Sequence, residues 1–323
     1  MLFPILKIIA GFILLIFGAE FAVRGAVAIA KRLNIPSLIV GLTIVAFGTS
    51  APELVVSFKA ALSGAAGISI GNVVGSNIAN ILLVLGVTSI IYPITCQRSD
   101  FIREYKFLFF VTVLLVLFTL TGTFIQWHGF LLVSVLVIFL IYNYLNAKKN
   151  GGADEEEEVN GLATLANKNW CIILSILGAG LFGVIYGADV LVDGAVTLAT
   201  LMGISESIIG LTVIAFGTSL PELATTGMAA LRKQNGVALG NIIGSNIWNI
   251  LCIMGFTSTV IDIEVSEQIL NFDIWFMLAA TIILLPTMLS GNKLTKREGI
   301  FFVLLYCGYI ATQVLLNNGT VNF

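Results

Sequence analysis

The chain has 323 residues and a formal net charge of −2, with 58% hydrophobic and 11% charged residues and a mean hydropathy of +1.03. Soluble domains carry roughly 25% charged residues, so the composition excludes a soluble globular protein and defines an integral membrane protein. The charge balance offers no basic patch, which excludes nucleic acid as a partner. Cys96, Cys171, Cys252 and Cys307 form no CxxC pair and read as small hydrophobes with no metal or disulfide framework.

A spanning helix needs about 20 apolar residues, and ten segments meet that length. The first covers 4–30 and carries Glu20 and Arg24 four residues apart, an intrahelical pair by spacing. Its apolar start after Lys7 has signal-peptide character, but its later part matches the internal Gly187-Ala188-Asp189, so it reads as a retained span. The next four cover 36–62, 68–93, 105–122 and 127–146, with His128 reading as an interfacial residue. A polar stretch from Lys148 to Lys168 follows, containing Asp154 and Glu155 to Glu158. By composition it is a solvated linker, a hinge between halves rather than a calcium sensor. The last five segments cover 170–200, 206–230, 236–261, 272–290 and 298–316. Asp189 and Asp193 take the places of Glu20 and Arg24 in the second half and read as structural or gating residues.

Fourteen of the 16 Lys and Arg residues flank alternate connections; Lys7 and Lys59 are the exceptions. The positive-inside rule then places both termini outside and the acidic linker in the cytoplasm. Five segments per half insert the second half upside down relative to the first. The expected architecture is an all-α integral membrane protein of ten transmembrane helices in two inverted-topology repeats, 1–147 and 169–323, joined by the linker 148–168.

The halves also repeat in sequence. Phe47-Gly48-Thr49-Ser50-Ala51-Pro52-Glu53 returns as Phe216-Gly217-Thr218-Ser219-Leu220-Pro221-Glu222, and Gly71-Asn72-Val73-Val74-Gly75-Ser76-Asn77 as Gly240-Asn241-Ile242-Ile243-Gly244-Ser245-Asn246. An offset of 169 holds without a gap from Gly18/Gly187 to Gly86/Gly255, with 34 identities in 69 positions. Duplicated halves with interrupted hydrophobic segments mark secondary transporters.

Polar groups inside membrane segments are costly and mark function. Pro52 interrupts its helix near Gly48, and Ser50 with Glu53 has capping-box spacing, so a half-helix should begin there and free the carbonyls of residues 46–49. Such backbone survives at membrane depth only where it is buried in protein or lines a cavity. Thr49, Glu53 and Ser57 share one helix face, and Thr218, Glu222 and Thr226 repeat the arrangement. Ser76, Asn77 and Asn80, with Ser245, Asn246 and Asn249, add hydroxyls and amides. Together these segments make an all-oxygen site with two carboxylates, suited to hard cations such as Ca2+ and Na+ and unsuited to zinc or copper. Lys59 is the only cation in these segments near either acid, and its counterpart is Met228, so a bound cation is the natural partner of the glutamates.

With those motifs the sequence resembles the sodium/calcium exchanger branch of the cation/calcium antiporter superfamily, over nearly the whole chain apart from the linker. The resemblance implies that Thr49, Glu53, Thr218 and Glu222 bind Ca2+, with the glutamates shared by Na+. It implies that Ala46, Ser50, Ser76, Asn80, Ala215, Ser219, Ser245 and Asn249 contribute to Na+ sites. The proton/calcium branch carries Glu in a Gly-Asn-x-x-Glu pattern; Gly75 and Gly244 stand there in this chain, which argues against proton coupling. Some relatives, potassium-dependent exchangers among them, carry Asp at the position of Asn249, so Asn weakens the case for K+.

The expected function is therefore Na+-driven Ca2+ antiport by alternating access in the cytoplasmic membrane, without enzymatic activity or cofactor, with Ca2+, Na+ and the bilayer as partners and a monomer sufficient for transport. The alternatives are an H+/Ca2+ or Mn2+ antiporter and, more remotely, a cation channel.

Overall fold

The computed structural model describes residues 2–149, 165–202 and 215–317. The expected linker and the first half of the seventh segment fall largely outside these residues. The described chain is helical: α1 Leu2–Leu33, α2 Ser37–Thr49, α3 Ala51–Leu62, α4 Ala66–Ile91, α5 Arg98–Thr119 and α6 Gln126–Lys149, followed by α7 Trp170–Leu201, α8 Ala215–Thr218, α9 Leu220–Leu231, α10 Asn235–Val260, α11 Ile269–Leu289 and α12 Lys296–Asn317. Seven of these, α1, α4, α6, α7, α10, α11 and α12, are long and apolar enough to cross a membrane, and the bent pair α2 and α3 makes an eighth candidate. Helix α5 has the length, but Arg103, Glu104 and Lys106 stand in its first turns.

Burial sorts the helices into two layers. The most apolar stretch of α10 is entirely buried and that of α4 is 78% buried, whereas those of α1, α6, α7 and α12 are only 22–33% buried. The outer helices expose large apolar side chains, among them Phe3, Phe12, Phe17, Ile138, Phe182 and Leu304. An apolar shell of that extent fits lipid and would aggregate in water.

Two interfaces depend on glycine. Helices α1 and α7, which occupy equivalent places in the two sequence repeats, pack against each other antiparallel: Gly11 meets Gly187 and Leu191, Gly18 meets Gly183 and Val184, and Gly25 meets Leu177. A Cβ on Gly180 would lie 2.3 Å from the backbone nitrogen of Ala22, so only glycine permits this approach. Likewise Gly240 and Gly244 of α10 bring its backbone against Leu38 and Leu42 of α2, where an added Cβ would lie 2.4 and 2.5 Å from the respective leucine carbonyl oxygens. Trp248 of α10 then donates its indole N–H to the Leu42 carbonyl at 3.1 Å.

Two features lie beyond the expected all-α plan. Four two-residue strands form at helix connections: β1 Ile94–Thr95 pairs antiparallel with β4 Lys293–Leu294, and β2 Thr123–Phe124 with β3 Ile263–Glu264. Each ladder joins one sequence half to the other. Four helical stretches also widen to π geometry, at Gly41–Val45, Ala79–Val84, Asn249–Met254 and Ile269–Asp273. Such bulges occur often at functional sites, and two of them begin beside Asn80 and at Asn249.

Candidate functional site

The interruption of the second segment falls where Pro52 requires it. Helix α2 ends at Thr49, α3 starts at Ala51, and the two are bent by 45°. Pro52 and Pro221 sit in the first turns of α3 and α9, with Glu53 and Glu222 beside them. Proline has no N–H, so the carbonyl four residues back in each motif, on Gly48 and Gly217, has no helical donor. Ala46 differs from expectation: its carbonyl still accepts Ser50 N–H at 3.0 Å and Thr49 Oγ1 at 3.3 Å.

The capping box is also redirected. Ser50 and Ser219 occupy the N-cap positions of α3 and α9, yet neither side chain caps its helix. Ser50 Oγ instead donates across the two halves to Glu222 Oε1 at 3.2 Å. Capping would satisfy one backbone N–H; bonding a buried carboxylate stabilises the more costly group.

Around this crossing the structure gathers most of the residues expected from sequence. Glu53 and Glu222 are 2% and 1% exposed. Thr49 is fully buried, with Oγ1 3.3 Å from Asn241 Oδ1, an alternative acceptor to the Ala46 carbonyl for its one proton, and 3.5 Å from Ser245 Oγ. Ala46, Ser76, Asn80, Ser219, Ser245 and Asn249 are all buried. Thr218 is half-buried and lines a cavity of 220 Å³ together with Asn72 and Ser76. Ala215 opens the short helix α8; its side chain lies outside the described residues.

The asparagines of the second motif have roles that sequence reasoning left open. Asn241 Nδ2 donates to Thr225 and Thr226 Oγ1, both at 2.9 Å, and Asn72 Nδ2 donates to Ser57 Oγ at 2.9 Å. Each ties the motif helix, α10 or α4, to the glutamate-bearing helix of its own half. Asn249 Nδ2 donates to Asn77 Oδ1 at 3.2 Å and joins α10 to α4. The repeated Asn at a fixed place in both motifs was the available signal.

Several buried acceptors receive no donor from the described protein atoms: Glu53 Oε2, Glu222 Oε2, Asn80 Oδ1, Asn249 Oδ1 and Ser219 Oγ. An unmet buried acceptor costs about 1–3 kcal/mol, and a charged one more. Among the described residues no Lys or Arg pairs with either glutamate, and Lys59 is exposed. No group of three or more His, Cys, Asp and Glu forms there either. The arrangement is a buried, oxygen-only cluster holding two mutually repelling carboxylates, chemistry that accepts a hard cation and has no soft ligand for zinc or copper.

Of the remaining polar residues of the sequence reading, Glu20, Arg24, Asp193 and His128 have structural partners. Arg24 Nε lies 2.6 Å from Glu20, as the spacing implied, and Arg232 adds a second guanidinium at 2.8 Å, a tie from α1 to the end of α9 that no local spacing announces. Asp193 pairs with Lys7 and Asp189 is exposed. His128 stacks on Phe118 with centroids 4.2 Å apart. The four cysteines are free.

A helical membrane protein with a buried oxygen cluster between two interrupted helices has the make-up of a cation transporter, and comparison with known proteins narrows the class. The family model described as sodium/calcium exchanger protein matches residues 3–145 and again 172–315. The putative antiporter CaxA of Alkalimonas amylolytica is 38% identical over 319 residues, covering 98% of this chain and 99% of that protein. The sodium/calcium exchanger MaX1 of Methanosarcina acetivorans is 31% identical, covering 94% and 97%. A solved structure of the sodium-calcium exchanger NCX_Mj soaked with 2.5 mM Na+ and 0.1 mM Ca2+ superposes with a TM-score of 0.81 at 32% identity, covering 96% of this chain and 98% of that one. The chain belongs to the sodium/calcium exchanger family of the cation/calcium antiporter superfamily. It is a multi-pass membrane antiporter, not an enzyme, of a family that moves Ca2+ and Na+ without a cofactor.

Proposed function

We propose that this chain exchanges Na+ for Ca2+ by alternating access at the cluster around Glu53 and Glu222. The observation that carries the reading is the pair of buried carboxylates with donor-free oxygens and, among the described residues, no cation of the protein's own. Thr49, Glu53, Thr218 and Glu222 hold Ca2+. Na+ competes for the same glutamates and for oxygens of Ala46, Ser50, Ser76, Asn80, Ala215, Ser219, Ser245 and Asn249. Overlap of the ligands makes occupancy mutually exclusive. Without ions, two bare charges resist occlusion because burying unpaired charge is very unfavourable; loaded with cations, the site can be occluded and opened to the other face.

The alternation needs two halves that exchange roles, and we read the chain as ten spans in two inverted repeats, 1–147 and 169–323. The antiparallel packing of the repeat-equivalent helices α1 and α7 supports this. So do the strand ladders, which bring the third connection beside the ninth and the fourth beside the eighth, the grouping that the charge distribution requires. Both termini then lie outside and the linker 148–168 in the cytoplasm.

The test is Ca2+ uptake into Na+-loaded proteoliposomes diluted into Na+-free buffer, with and without K+. Uptake that needs internal Na+ and ignores K+ supports the reading, including the neutral Asn249. Uptake that ignores Na+ and follows a pH gradient replaces it with proton coupling, preference for Mn2+ changes the cargo, and flux without a counter-ion makes the protein a channel.

A further inference from the structure

Outside the central cluster, one buried acid lacks a cationic partner among the described residues. Asp273 stands one turn into α11 and is 5% exposed. Its Oδ1 accepts Tyr309 Oη at 3.1 Å and the Gln313 amide, and its Oδ2 accepts Gln268 Nε2 at 3.4 Å. All three donors are neutral, so they stabilise the carboxylate without cancelling its charge. The residue 169 positions earlier is Glu104, buried to a similar degree, and it has a guanidinium against it: Arg103 Nε at 2.7 Å. The place of Arg103 is taken by Phe272 in the second half.

Two of the three partners of Asp273 line a cavity shared with residues of the proposed ion site. Tyr309 and Gln313 of α12 line the same 220 Å³ cavity as Asn72, Ser76 and Thr218. A phenol has one proton; once it is given to Asp273, its lone pairs remain as acceptors. Gln313 gives its amide to Asp273 and accepts the amide of Gln268 on its oxygen. A fixed negative charge behind this wall, set in apolar surroundings, focuses potential into the cavity.

We propose that Asp273 is a positioning residue of the transport path: it orients Tyr309 and Gln313 and gives the cavity beside Thr218 and Ser76 a negative potential that draws cations in from the face where α12 ends. The proposal rests on the exchanger reading and adds a direction to it. Asp273 itself touches no ion; it acts on cations through the wall that it holds.

Asp273→Asn keeps the shape and removes the charge. In oriented proteoliposomes, the Na+ half-saturation on the face where α12 ends should rise about threefold to tenfold. The opposite face should be unshifted and the maximal rate preserved. Raising ionic strength with choline chloride should shrink the difference, because screening weakens a field and leaves a packing defect unchanged. Equal shifts on both faces, a loss confined to the maximal rate, or no shift would each overturn the proposal. Should Asp273→Asn fail to fold, Tyr309→Phe removes the cavity oxygen while keeping the carboxylate; it should raise the same half-saturation on the same face, and an unshifted value overturns the proposal. Wild-type vesicles that move no Ca2+ against Na+ would overturn the exchanger reading and this inference together, whereas normal wild-type exchange with an unshifted variant overturns the inference alone.

Discussion

Glu222→Gln separates charge from shape at the centre of the site. Glu222 Oε1 accepts from Ser50 at 3.2 Å, whereas Oε2 has no donor among the described residues. Glutamine retains the first interaction by keeping its carbonyl toward Ser50. It then puts an amide NH2 where the donor-free oxygen stood, replacing a cation acceptor by a donor. Two unit charges about 4 Å apart interact by about 4 kcal/mol at an effective dielectric of about 20, and a divalent ion feels at least that loss. About 4 kcal/mol is about a thousandfold in affinity. Calcium titration of the purified protein by calorimetry, alongside 45Ca2+ uptake in proteoliposomes, should show weakening of at least that order and no measurable exchange. Thermal melting without Ca2+ should not fall, because the variant removes an unpaired buried charge that the wild type has to carry. Exchange within a few-fold of wild type, or a lower melting point with normal Ca2+ affinity, would refute the two-carboxylate site.

Gly180→Leu should destabilise the protein by at least about 1–3 kcal/mol, since the new Cβ meets Ala22 backbone at 2.3 Å and neither backbone can yield easily; melting in detergent checks it, while Gly178→Leu, where a Cβ meets nothing within 4 Å, serves as the tolerated control. Ser50→Ala should impair Ca2+ binding more than Ser219→Ala, because Ser50 Oγ bonds Glu222 and Ser219 Oγ has no hydrogen-bond partner among the described residues; equal effects in the same titration would deny the asymmetry. Burial, with Asp100 nearby, pushes the Cys96 thiol up to about 11. The thiolate is the reactive form, so in a variant retaining only Cys96, maleimide labelling should be slow at pH 7 and accelerate about tenfold per pH unit below that value.

The glutamates, hydroxyls and helix interruptions were legible because each rests on a local rule repeated twice. Proline blocks a helix wherever it stands, and a carboxylate in an apolar segment is conspicuous whatever surrounds it. What the sequence could not carry was partner choice across the fold. Ser50 has capping-box spacing, but only tertiary structure brings Glu222 within its reach. Arg232 joins Glu20 across 212 residues, with no spacing rule linking them. The π stretches at Asn80 and Asn249 were equally hidden, because a widened turn leaves the apolar pattern nearly unchanged. Asp273 and Glu104 share the repeat offset yet lie beyond the block of high identity, where a single acid in each half does not stand out against ordinary variation.

The number of oxygen groups in the proposed site bears on charge movement. One Ca2+ takes about 6–8 oxygens, and the two glutamates alone offer four. The proposed assignment gives the site ten further residues, more than a single coordination shell uses, and on that reading the remaining oxygens would serve additional monovalent ions. Two Na+ would neutralise the two glutamates as one Ca2+ does and leave transport indifferent to voltage. Further Na+ at the neutral oxygens adds a net positive charge to each cycle, worth about 2.3 kcal/mol per charge per 100 mV. With valinomycin clamping the potential of Na+-loaded vesicles, a positive interior should therefore speed Ca2+ uptake and a negative interior slow it, because Na+ leaves with more charge than Ca2+ brings in. A rate independent of potential would limit the exchange to two Na+ and leave part of the proposed oxygen set without ions to bind.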